Sequence, residues 1–426
     1  MSLWGTMAAS KQAMLAQSHA LGLIGQNVSN MNTTGYKEVD GQFKTMLNET
    51  TGGGRFDFFT ARNSDRQFIS RQGQMTDTGN DLDLGINGQG FFITRDSPGA
   101  GADGAAGDAD LPVFSRDGAF RMSRGEDGHN YLTTQDGRYL MGSRVTGDGQ
   151  GAVAPNNIDA LEPVDLTAVD AMEAQATTQV SVRDNIPPST ETDVDGGVAI
   201  YTPGGETREL GLTWSKSEEQ PNTWTVTSGV RGATVDADGT GSNEFTVRFG
   251  RDGELFGING TEQKTLAMDI AYDDGTASSP TLDLSGSTQL GDEHQRYQVD
   301  RDGHAAGRLD RTFFSENGSL RASYTNGEVQ DIYEIPLADF TARDQLEQLS
   351  GTAWRQTQES GELSLFSITG AQSGRSTFVP QALERSNVQV EEQFTRMMLT
   401  QRAYSSASKT FTTADEMSQT ARDMKR

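Results

Sequence analysis

Four histidines, His19, His129, His294 and His304, are the side chains best suited to proton transfer or metal binding near neutral pH. They lie far apart, in helix and turn contexts, without the short spacing of metal ligands. Cysteine is absent, which removes thiolate nucleophiles, thiolate metal sites and disulfides. Neither a Gly-x-Ser-x-Gly elbow nor a phosphate-binding loop occurs. Asp236-x-Asp238-Gly239 and Asp300-x-Asp302-Gly303 open like calcium loops, yet lack the further carboxylates and the closing Glu. Asp-Gly pairs are more simply turns. Trp214 and Trp224 read as β core, with an exposed sugar-binding surface as the alternative. The sequence thus predicts no catalysis, cofactor or metal, and leaves a calcium-dependent surface adhesin as a competing function class.

The chemistry that remains is burial, and it concentrates at the two ends. From about Ser386 to Arg426 no Gly or Pro interrupts the chain. Val390, Phe394, Met397, Tyr404, Phe411, Ala414 and Met417 fall at steps of three, four or seven, one apolar stripe along a helix. At the other end Met7, Met14, Leu21 and Val28 recur every seven residues beside Ile24, the spacing of a coiled-coil seam. Gly5, Gly22 and Gly25 weaken that helix by about 1 kcal/mol each relative to Ala, so packing must order it. Two helices of one ordinary domain, or an intersubunit coil built from many chains, would each cover these stripes. The first helix should stop in the turn Val28–Lys37, where Asn, Ser, Thr and Gly favour local hydrogen bonds. A helix stop without further role is the simplest reading of that turn.

A length of 426 residues predicts two or three domains, and a net charge of -25 argues against nucleic acid and anionic lipid as partners. No stretch approaches the roughly 20 apolar residues of a membrane span, and no signal-peptide pattern opens the chain. Residues 43–76 read as a polar connector with short strand pieces. Beyond them strand alternation alternates with Asn-Gly and Asp-Gly turns as far as about Leu365. The predicted fold is multidomain α+β, with coiled-coil-like terminal helices and two mainly-β domains nested between them. The expected boundaries are 1–75 pairing with 366–426, a discontinuous β domain of 76–159 with 292–365, and an inserted outer β domain at 160–291.

Three stretches together resemble the family of bacterial flagellar rod and hook proteins. The first is Asn27-Val28-Ser29-Asn30-Met31-Asn32-Thr33-Thr34-Gly35-Tyr36-Lys37. The second is Gly88-Gln89-Gly90-Phe91-Phe92-Ile93 with Phe114-Ser115-Arg116-Asp117-Gly118-Ala119-Phe120. The third is Leu383-Glu384-Arg385-Ser386-Asn387-Val388 with Gln401-Arg402-Ala403-Tyr404. Length and the inserted domain resemble the hook members more than the shorter rod members. Two departures are the acidic Gly/Ala loop Ser97–Asp110 and Arg183-Asp184-Asn185-Ile186-Pro187-Pro188, where the family has an Asn-Leu-Pro turn. The resemblance implies a subunit of a flexible tubular polymer, a universal joint carrying torque from motor rod to filament. A distal rod or hook-filament junction protein is the alternative within the family. Implied partners are further copies of the chain, a rod protein, a junction protein, a hook cap and the flagellar export apparatus. The implied location is extracellular, in the flagellum, reached without a cleaved signal peptide.

Overall fold

A computed structural model describes residues 3–49, 56–98, 111–145, 157–189, 193–218, 220–237, 239–291, 293–368 and 375–424. The chain divides into two compact units. One comprises Met1–Ala168, Thr312–Ala322 and Gln330–Arg426, the other Val169–Arg311 and Ser323–Val329.

The first unit holds both terminal helices, α1 (Leu3–Ser29) and α2 (Val390–Asp423). They pack against each other, and Asn27 near the end of α1 meets Gln393 near the start of α2, so they run antiparallel. Residues 43–76, expected as a connector, instead contain a long antiparallel hairpin, β1 (Val39–Glu49) with β2 (Phe56–Gln67), in register Val39↔Gln67 and Gln42↔Ser64. Its alternation is diluted in sequence by Gly41, Asn48, Asn63 and Asp65, which are poor strand formers. The base of the hairpin packs on α1. The triple glycine of the expected connector and residues 99–110 of the acidic loop lie outside the described residues.

Below the helices, β3 (Met75–Asp77) pairs with Ala382–Glu384 and β4 (Leu84–Gly88) with Ser376–Pro380. The last strands of the chain are therefore laid against some of the first. The adjoining core joins Ile69, Phe91, Ile93, Phe114, Phe340 and Trp354. Phe91 sits 5.8 Å from Trp354 and 6.1 Å from Phe340 in tilted aromatic contacts.

In the second unit a five-stranded antiparallel sheet runs in the order Val194–Tyr201, Thr207–Lys216, Thr223–Val230, Glu244–Phe249, Leu255–Ile258. Strict alternation of buried and exposed residues along Glu244–Phe249 shows one face turned to the core. Trp214 and Trp224 are fully buried there, leaving no exposed indole surface for a sugar. A four-stranded sheet contributes Gln179–Asn185, which pairs in parallel with Thr281–Asp283 and antiparallel with Gln295–Arg301. The boundaries expected from sequence place Gln295–Arg301 in the flanking β domain. Its exposed faces and low apolar content carry no signal for which sheet it joins. The fully buried carboxylate of Asp184 holds the Arg296 guanidinium at 2.8 and 2.9 Å.

Candidate functional site

Where the two ends of the chain meet, the interior is polar. After α1 the turn is built by Asn30 Nδ2 donating to Gln26 O (2.9 Å) and Thr33 Oγ1 donating to Asn30 Oδ1 (3.2 Å). Gly35 has φ +69°, and a Cβ there would lie 2.7 Å from the backbone of Arg116 and Asp117, so only glycine fits. The turn delivers Tyr36, Lys37, Glu38 and Val39 to the interior, each nearly inaccessible to solvent.

Lys37 Nζ donates to Glu384 Oε1 at 2.6 Å and to Arg71 O at 2.9 Å. Glu384, fully buried on the strand beside β3, also accepts from Gly73 N (2.7 Å) and Arg116 Nη1 (3.2 Å). Asn387 accepts from Glu38 N (2.7 Å) and donates to Phe68 O and Arg71 O (both 3.0 Å). Asn27 exchanges hydrogen bonds with the backbone of Val39 (2.8 and 3.1 Å), accepts from Tyr36 Oη (3.1 Å) and donates to Gln393 Oε1 (3.2 Å). Gln393 in turn donates to Glu38 Oε1 at 2.8 Å, an oxygen that also takes Arg396 Nη1 at 3.1 Å. Buried polar groups are tolerable only when fully partnered, and here Asn27, Lys37, Glu38, Glu384, Asn387, Gln393 and Arg396 each bond at least one group from the opposite end of the sequence.

Burial lowers the Lys37 ammonium to about 8 despite its Glu384 partner. It likewise pushes Tyr36 up to about 12, with the Glu38 carboxylate adding to the effect. Burial raises the neighbouring Asp117 to about 6, against hydrogen bonds from the Ala119 backbone and the Thr34 side chain.

Of the family-motif residues, Asn27, Asn30, Thr33, Gly35, Tyr36 and Asn387 come together in this clasp, and Ser386 Oγ accepts from Val388 N beside it at 3.3 Å. Asn32 is exposed, as are Gln401, Arg402, Ala403 and Tyr404 on α2. The turn after α1 is thus more than a helix stop. Sequence reasoning missed Glu38, Arg71 and Gln393, although Glu38 stands out as the first acidic residue of the chain.

The helix pair above the clasp buries small and polar side chains together with Leu23 and Ile24 of α1. Ser10, Ala16, Leu23, Ile24 and Asn27 are buried on α1, Gln393 and Ala414 on α2. Met7, Met14, Leu21 and Val28, with Val390, Met397 and Phe411, lie half-buried along the flanks of that seam. Phe394 (50% exposed), Tyr404 (40%) and Met417 (58%) face solvent, together with Trp4, Leu15, Met398 and Leu399.

Elsewhere, His129 Nδ1 and His19 Nε2 each lie 2.7 Å from one carboxylate, Asp165 and Asp65 respectively. Among the described residues no three His, Cys, Asp or Glu side chains gather as a metal site. The Asp302 carboxylate is occupied by Thr178 N and Gln179 N at 2.8 and 2.9 Å, the pattern of a structural turn. Asp238 lies outside the described residues.

A family model described as "Flagellar basal body rod FlgEFG protein C-terminal" matches residues 379–424. A second, "Flagellar basal body protein FlaE D2 domain", matches residues 173–304. The chain is 31% identical to the flagellar hook protein FlgE of Rhizobium meliloti, with 100% of each chain covered. It is 27% identical to the flagellar hook protein FlgE of Brucella abortus, again over 100% of both. The crystal structure of Helicobacter pylori flagellar hook protein FlgE2 is similar at a TM-score of 0.49 and 13% identity, covering 73% of this chain and 99% of that one.

Proposed function

Because the chain belongs to the flagellar hook protein family and so is a structural subunit of the flagellar hook, we propose that it polymerises through its terminal helices into a flexible tube that transmits torque. The carrying observation is the set of large apolar side chains that one helix pair leaves in water, Trp4, Leu15, Phe394, Met398, Leu399, Tyr404 and Met417. Exposed apolar surface of this extent marks an interaction face, and in a hook the available partner is another copy. The half-buried Met7, Met14, Leu21, Val28, Val390, Met397 and Phe411 would be completed by the same neighbours. Nothing in the comparisons supports a calcium-dependent adhesin.

In this reading the packed apolar helices carry axial stiffness. The β regions, nested between the ends, make polar contacts that exchange at low cost, so the tube bends while resisting twist. A rod protein would meet one end of the tube and a junction protein the other, with a cap guiding growth. Subunits would leave through the flagellar export apparatus with their ends unfolded. A folded domain fused to the N-terminus should then block secretion, and normal export of the fusion would refute that route.

Electron microscopy of salt-assembled protein tests the main proposal. Curved tubes are expected, and straight ones would favour a rod role. Phe394→Ser with Tyr404→Ser should leave the monomer's melting curve within about 0.5 kcal/mol of the parent, as surface changes do, while stopping polymerisation. Unimpaired tubes from that variant would overturn the proposed interface.

A further inference from the structure

Arg402, Lys409, Glu416 and Asp423 follow one another along α2 at intervals of seven residues. Seven residues are nearly two helical turns, so the four form one line of charge, two positive and then two negative. All four are exposed. The line runs on the side away from Gln393 and Ala414, the two buried residues of α2. Other charges of α2 are used within the chain: Arg396 pairs with Glu38, Asp40 and Glu392. Among the described residues none of the four makes an ion pair. Beside the basic half lies a cavity of about 500 Å³ lined by Met398, Gln401, Arg402, Ser405, Ser406 and Lys409. The hydroxyl side chains Ser405, Ser406, Thr413 and Thr420 flank the line and let another backbone come close.

We propose that this line docks α2 onto α2 of a second copy of the chain, parallel and displaced by fourteen residues, so that Arg402 meets Glu416 and Lys409 meets Asp423. The displacement corresponds to about 21 Å along the helix at ~1.5 Å per residue. The basic half of each helix then faces the acidic half of one neighbour, and its acidic half faces the basic half of another. Each helix bridges two others with about half its length in each contact. Such a contact is heterologous and propagates without closing. An antiparallel docking would also match charges, pairing Arg402 with Asp423 and Lys409 with Glu416, but it is isologous and stops at a dimer. The parallel form is chosen because the docking rests on the hook-polymer reading above. Exposed ion pairs add little affinity; their contribution is to select direction and register and to speed encounter.

The test uses the full-length chain, salt-induced assembly followed by light scattering, and cysteine pairs made clean by the absence of native cysteine. Arg402→Glu with Lys409→Glu should slow assembly at least about tenfold, the scale of lost electrostatic steering, without moving the monomer's melting curve. Adding Glu416→Arg and Asp423→Lys to the same chain should bring the rate back to within about threefold of the parent. Ser406→Cys with Thr420→Cys, oxidised after assembly, should give a ladder of cross-linked oligomers, whereas Thr413→Cys alone should not cross-link. Equal assembly by parent and reversed variant, or no recovery in the fourfold variant, would overturn the docking and leave the hook reading standing. So would a cross-linked dimer from Thr413→Cys, which places the helices antiparallel. A parent that forms no polymer would overturn both.

Discussion

At the scale of single residues, the clasp is a set of charges that survive burial only in company. Glu384 stands between Lys37 and Arg116 with almost no solvent access. Glu384→Gln leaves two buried cations facing a neutral amide, and breaking such a set costs about 3–5 kcal/mol, measurable by urea denaturation. Asp117 gives a pH signature with a defined sign. Its carboxyl titrates near 6 when folded against an ordinary 3.8. Between these values the native state keeps a proton that the unfolded chain releases, so stability should fall as pH rises from about 4 to 6. Asp117→Asn should remove that slope in urea titrations across the range. Lys37 works in the opposite window. Lowered from 10.5 to about 8 by burial, it costs stability while charged, and that cost should fade as pH rises from about 8 toward 10.5. A Lys37→Met variant that keeps the same alkaline slope would show that another group is responsible.

Among the elements, the helices were the easiest to read and the hairpin the hardest. α2 was legible because its long run lacks Gly and Pro and repeats at helical spacing. Which face it buries was less so. The large residues of the α2 stripe are not the ones buried; Gln393 and Ala414 are, while α1 buries Ser10, Ala16, Leu23 and Ile24. Sequence patterning finds where apolar residues recur, and a two-helix pair can cover only part of them. The β1–β2 hairpin was hidden because Gly, Asn and Asp break the alternation that marks strands. The motif residues of the turn were recognisable as a group, but their purpose depends on contacts with residues beyond position 380, which no local pattern reveals. Asn27→Ala tests the element-level claim. It strands the Val39 backbone and the Gln393 amide, at about 1–3 kcal/mol per unsatisfied group, and should raise hydrogen exchange along α1 while the second unit's protection stays unchanged. Uniform loss of protection in both units would mean that the clasp is not local to the first.

For the molecule as a whole, charge is distributed unevenly. Residues 169–311 hold 25 acidic and 11 basic side chains, whereas α1 contains Lys11 and no acid. Subunits of net charge -25 repel one another, and salt screens that repulsion within a Debye length of about 8–10 Å at 0.10–0.15 M. Assembly should therefore accelerate with added sodium chloride up to about 0.5 M, even though the same salt weakens individual ion pairs. Slower assembly at higher salt would mean that attraction between the charged lines of α2 outweighs the net repulsion between subunits.

The clasp also sets an order of completion. Lys37, Glu38 and Asn27 find their partners in Glu384, Asn387, Gln393 and Arg396. A ribosome that stops short of residue 384 releases a product whose first forty residues keep the hairpin but lack α2 and the buried partners of Lys37, Glu38 and Asn27. Such a fragment cannot present a finished pair of helices to a growing tip. Unfinished copies would thus be left out of the structure by their own missing ends, with no separate inspector required.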